Sequence, residues 1–140
     1  MSIKTIIIDD DEISVFILRK LATASGIEKN PISFLSAADA LEYLLNEDAD
    51  GKNILLLLDI NMPEMSGWDF LNIITDKPLK TNIYVAIVTS SVDSYDKEYA
   101  KRYKQVIQFF EKPLSIAALQ QLKQHNLLTH LFQQKDEVIT

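Results

Sequence analysis

Residues 54–58, Ile-Leu-Leu-Leu-Leu, form an unbroken apolar run that ends at Asp59. The run is too short to cross a bilayer as a helix and short even for a buried helix, so a strand is what it suits. A strand that is apolar at every position must be covered on both faces. An antiparallel sheet with one wet face would alternate apolar and polar residues, whereas a parallel sheet sandwiched between helices would not. Thr5–Ile8, Ile32–Phe34, Tyr84–Val88 and Val106–Phe110 are further short runs, β-branched, aromatic or continuously apolar.

Between these runs lie helical patterns. Ile13, Phe16, Ile17, Lys20, Leu21 and Ala24 recur at spacings of three and four, which predicts a first helix with that stripe turned inward. Ala37 to Leu45 repeats the pattern, with Ser36 as cap and Asp39 in the first turn. Ser66 opens a third helix with Asp69 in its first turn and Phe70, Leu71 and Ile74 inward. Tyr95 to Tyr103 reads as a fourth, and Ser115 starts a fifth with Ile116, Leu119 and Leu122 as its stripe. The alternation predicts an α/β fold: parallel strands, right-handed crossovers and helices on both faces. One domain over residues 1–132 is expected, followed by a polar tail over 133–140.

Composition removes several function classes. The net charge of -6 opposes direct nucleic-acid binding. The one basic group, Lys97, Lys101, Arg102 and Lys104, is interrupted by Glu98 and reads as a solvated helix face. The absence of cysteine excludes disulfides, thiolate catalysis and zinc–thiolate sites. No segment has the length of a membrane span, and the first residues lack the pattern of a signal peptide, so a cytoplasmic location is expected.

Open parallel sheets place their sites beyond the carboxyl ends of the strands. That rule selects Asp9 and Asp10 after strand one, Asp59 after strand three, Thr89 and Ser90 at strand four, and Lys112 after strand five. Converging carboxylates repel, and a hard divalent cation relieves the repulsion. Magnesium fits, because it takes one or two carboxylates together with phosphate oxygens. A carboxylate beside the metal can attack a phosphoryl group, and lysine and threonine can then hold the new oxygens. The set points to phosphoryl transfer onto aspartate.

From Lys4 to Leu127 the chain resembles the receiver domains of two-component response regulators. The resemblance rests on Ile6-Ile-Ile-Asp-Asp10, Leu58-Asp-Ile-Asn-Met-Pro-Glu-Met-Ser-Gly67, Val88-Thr-Ser90 and Phe110-Glu-Lys-Pro113, in that order and each at a strand end. It implies a flavodoxin-like doubly wound (βα)5 fold with a five-stranded sheet in the order 2-1-3-4-5. It implies Asp59 as phosphoacceptor, and Mg2+ held by Asp9, Asp10, Asp59 and the backbone carbonyl of Asn61, with Asp10 the more direct of the acidic pair. Thr89 and Lys112 would bind the phosphoryl oxygens, Thr89 and Phe109 would form the switch, and Lys112–Pro113 would be a cis peptide. The implied partners are a sensor histidine kinase or phosphotransfer protein upstream and an unnamed protein target downstream. The face of helix four, strand five and helix five would carry output or a homodimer contact. The chain is expected to be a switch rather than an enzyme, and to act without a covalent output domain.

The sequence departs from the family pattern where Lys104-Gln-Val106 replaces a glycine before strand five. Asn61 and Ser91 occupy positions that influence acyl-phosphate lifetime, so the lifetime does not transfer from relatives. Three other readings compete with this one. A phosphatase of the haloacid-dehalogenase type needs a second aspartate where Asn61 stands. A flavin module needs a hydroxyl- and glycine-rich loop where Asp9-Asp-Asp-Glu12 stands. A degenerate receiver would act only by contact, although every key residue is present. His125 and His130 read as solvated, and Trp68 as partly buried near the site. Leu127, Leu128, Leu131 and Phe132 fit either an extension of the core or an exposed patch at the end of the output face.

Overall fold

The structure is a computed structural model that describes residues 2–91 and 93–133. Its elements run β1 (Lys4–Ile8), α1 (Glu12–Ala24), β2 (Ile32–Phe34), α2 (Ala37–Asn46), β3 (Asn53–Leu58), α3 (Gly67–Asp76), β4 (Asn82–Thr89), α4 (Ser94–Ala100), β5 (Val106–Glu111) and α5 (Ile116–Lys123). All five strands are parallel and lie in the order β2-β1-β3-β4-β5, as expected. β3 is central and buried at every position, so its leucines need two cores, and they have them. Ile54, Leu56 and Leu58 pack with Phe70, Leu71 and Ile74 of α3 and Ala40 and Leu44 of α2. Leu55 and Leu57 pack on the other side with Val15 and Leu18 of α1 and Leu119 and Leu122 of α5. The period of two along each strand divides the residues between the layers.

The helix starts follow local chemistry. Asp11 caps α1 by accepting the Ile13 amide, Ser36 caps α2, and Ser115 caps α5. Ser66 and Asp69 form a reciprocal capping box at α3. Asp93 caps α4 by accepting the Tyr95 amide.

Three expectations, on α1, the end of α4 and Ile116, are corrected, and the open choice for the group after α5 is resolved in favour of the core. The α1 stripe is turned the other way. Val15, Leu18 and Ala22 are buried, while Ile13, Phe16 and Ile17 are 72%, 61% and 50% exposed. Both sets satisfy helical spacing, because α1 is apolar on two faces, and only Leu21 of the predicted stripe packs against the core. α4 stops at Ala100, with turns through Arg102, and Ile116 is exposed while Leu119 and Leu122 are buried. Leu128, Leu131 and Phe132 are buried in the α1–α5 core through a helical turn over 129–133, so they do not widen the α4–β5–α5 face. Only Leu127 of that group is exposed. Most of the expected tail, 134–140, lies outside the described residues.

Candidate functional site

The carboxyl ends of β1, β3, β4 and β5 come together at one rim. In-register pairing of Ile8 with Leu58, and of Leu58 with Ile87, brings Asp9 and Asp59 level with the end of β4. The Asp59 amide donates to the Ile8 carbonyl (2.9 Å) and the Lys112 amide to the Thr89 carbonyl (2.8 Å), fixing the loop bases. One carboxylate oxygen from each of Asp9, Asp10 and Asp59 lies within 4.8 Å of the others. Unit charges at that separation repel by roughly 3 kcal/mol at an effective dielectric near 20.

Lys112 offsets part of this. Its Nζ lies 2.7 Å from Asp9 Oδ2 and 3.3 Å from Asp59 Oδ2. Burial opposes the ammonium charge. The Asp9 hydrogen bond and the charges of Asp59 and Asp9 outweigh it and hold the lysine pKa above its ordinary value. The peptide bond between Lys112 and Pro113 is cis, as expected.

The acids are not equivalent. Asp9 is fully buried and engaged: its carboxylate accepts from Lys112, from Ser14 Oγ at 2.6 Å and from the Asp11 amide at 3.0 Å. Asp10 is exposed and makes no hydrogen bond or ion pair among the described residues. Asp59 is 6% exposed and also accepts the Asn61 amide at 3.1 Å. Thr89 is fully buried, and its hydroxyl oxygen accepts from Asn61 Nδ2 and the Ser91 amide, both at 3.3 Å. It donates to no described residue, which leaves its proton for an incoming acceptor. Phe109 stands opposite Ile87, half-buried against the α3–α4 core, and lines a groove of about 250 Å³ with Lys97, Ala100, Lys101 and Val106.

Two participants were not singled out from sequence. Ser14 sits in the first turn of the helix capped by Asp11, where a hydroxyl can turn back to Asp9. The Asn61 side chain, expected to bear only on acyl-phosphate lifetime, also links the Asp59 loop to Thr89. Trp68 is half-buried as expected, stacked on Tyr103 and edge-on to Tyr99. The Tyr103 hydroxyl, pushed up to about 12 by burial and its bond to Tyr99, donates to Asn72.

Gly67 sets how closely α3 approaches the acid. A Cβ there would stand 2.6 Å from both the Asp59 carbonyl oxygen and the Ile60 Cα. Both are backbone atoms that cannot swing aside. Gly67→Ala is expected to cost about 3 kcal/mol, the upper end for overpacking, and to displace the Asp59 loop. Denaturant titration checks this, and an unchanged midpoint would count against so tight a contact.

The family model for the response regulator receiver domain matches residues 5–124. Hybrid signal transduction histidine kinase L of Dictyostelium discoideum is 28% identical over 121 residues, covering 85% of this chain. The chain spans only 7% of that kinase's length. Polar-differentiation response regulator DivK of Brucella ovis is 29% identical, with 83% of this chain and 89% of DivK covered. The crystal structure of a two-component response regulator from Cytophaga hutchinsonii superposes with a TM-score of 0.77 at 27% identity, covering 90% of this chain and 97% of that one.

Proposed function

This chain belongs to the response regulator receiver domain family of two-component signalling, and on that premise we propose that Asp59 takes a phosphoryl group from a histidine kinase or phosphotransfer protein in the cytoplasm. The observation that carries this is the asymmetry of the acids. Lys112 is shared by a saturated Asp9 and a nearly buried Asp59, beside an unpartnered Asp10. An Asp59 oxygen attacks phosphorus, the acyl phosphate forms, and the donor nitrogen leaves with the electrons of the broken bond. Lys112 and the uncommitted Thr89 proton hold the new oxygens. Incubation with a small phosphodonor and magnesium, followed by intact mass, tests the reading. One hydroxylamine-labile phosphate is expected, and none at all would overturn it.

The donor set suits Mg2+, a hard ion that takes few carboxylates. Asp10, Asp59 and the Asn61 carbonyl would hold it, with Asp9 completing the acidic group. Once bound, the ion supplies neutralisation of the carboxylates and of the phosphoryl oxygens. Asp10→Asn is expected to weaken magnesium affinity about tenfold or more by removing the least engaged charge. Trp68 fluorescence titration reads it, and equal affinities would move the metal elsewhere.

A donor protein has to reach Asp59 past Lys112. An apolar groove of about 370 Å³, walled by Ile13, Ile17, Pro113 and Leu114, adjoins that lysine and suits this docking. Output leaves by the α4–β5–α5 face, toward a target or a second copy of the chain. A phosphoryl oxygen draws Thr89 toward Asp59, and Phe109 turns inward beside it, changing what the groove at Lys97 and Ala100 presents. Phe109→Ala is therefore expected to keep phosphoryl uptake and lose the response, whereas Thr89→Ala, which also removes a hydroxyl that holds the new oxygens, is expected to lose the response and to slow uptake. Hydrogen exchange with and without beryllofluoride should show protection changes in residues 89–112 that shrink in both variants. Changes confined to α1 would show that the output face lies elsewhere.

A further inference from the structure

α1 carries a second feature, at the end away from the acids. Phe16, Arg19, Lys20, Thr23, Lys29 and Pro31 line a pocket of about 290 Å³ between α1 and the approach to β2. Arg19 is held in place, its Nη1 donating to the Pro31 carbonyl at 2.6 Å and to Ser33 Oγ at 3.2 Å. Lys20 Nζ sits 5.4 Å from the centre of the Phe16 ring. Arg19, Lys20 and Lys29 form no ion pair with a described carboxylate. The acid nearest in sequence, Glu28, is turned inward: it is 4% exposed, accepts the Thr5 and Asn30 amides, and lies 3.6 Å from Lys4. Three unneutralised cations around one pocket are unexpected in a chain of net charge -6.

The charge runs in one direction along the helix. Asp10, Asp11 and Glu12 stand at its start, the exposed Ile13, Phe16 and Ile17 follow, and the cations lie at the far end. We propose that this pocket binds a short acidic segment of a partner protein, with carboxylates against Arg19, Lys20 and Lys29 and an apolar side chain against Phe16. The gradient selects that occupant. A long polyanion or a flat anionic membrane, laid on the cations, would also meet the acids at the start of α1, and like charges there oppose it. A short segment whose charge ends where the apolar stripe begins meets no such penalty. The site is separate from Asp59 and does not depend on the phosphoacceptor reading.

The test is amide chemical-shift mapping of the full chain titrated with a synthetic peptide of glutamates flanking leucines. At low ionic strength the shifts should fall on residues 16–31. Affinity should drop about tenfold or more at an ionic strength of roughly 0.3 M, where screening shortens to a few ångström. Lys20→Glu with Lys29→Glu should abolish binding and leave phosphoryl uptake from a small donor unchanged. That uptake, measured on the same samples, separates failure here from failure of the Asp59 assignment. Shifts centred on 97–104, undiminished binding by the double variant, or no binding at low salt would each overturn the proposal. So would binding of anionic vesicles or inorganic triphosphate in place of the peptide.

Discussion

Asp59→Asn is expected to reduce phosphoryl incorporation from a small donor to nothing measurable. The amide has no anionic oxygen to attack phosphorus, and no neighbour can substitute for it. Asp9 is engaged by Lys112, Ser14 and the Asp11 amide, and Asp10 is exposed at the rim and forms no ion pair among the described residues. Stability should change far less than activity. The substitution removes a carboxylate that both attracts Lys112 at 3.3 Å and repels two other acids, and these effects oppose one another. Intact mass and thermal unfolding of one preparation separate the two outcomes. Hydroxylamine-resistant phosphate that persists in the variant would place the group on Thr89 or Ser90 and sink the assignment.

A fragment ending at residue 124, where the family match ends, is expected to lose much of its stability. It would lack Leu128, Leu131 and Phe132, which are at most 2% exposed and belong to the core between α1 and α5. Full burial of such side chains is worth about 1.5–3 kcal/mol each, so roughly 5–9 kcal/mol is at stake as an upper estimate. The whole stability of a domain is about 5–15 kcal/mol. Their removal also bares Val15, Leu18 and Ile27, which share that core. Urea titration of the fragment beside the full chain decides it, since an unshifted midpoint would mean these residues contribute little.

The sheet and the rim were legible in the sequence because they rest on short-range signals. An all-apolar β3 demands two covered faces, and acids, hydroxyl and lysine at strand ends follow from topology alone. α1 was misread for an equally physical reason. Ile13, Phe16 and Ile17 share one helical spacing and Val15, Leu18 and Ala22 another, and spacing does not say which set meets the sheet. Leu128, Leu131 and Phe132 gave the same uncertainty, resolved by their position beneath α1. The bond from the Asn61 side chain to Thr89 arises only when separate loops meet in space, and that from Ser14 to Asp9, though local, depends on how the first turn of α1 is set by its cap.

β3 has no outside, and this bears on how such a protein can change over generations. At all six of its positions a new side chain must match the volume it replaces or strain one of two cores. The chemistry at its end is therefore mounted on the segment with the least freedom to drift. α1 differs: Ile13, Phe16 and Ile17 and the cations Arg19 and Lys20 lie outside both core clusters, so exchanging them leaves the cores untouched. Lineages can thus alter the outward face of α1 while the acidic rim at the end of β3 stays as it is.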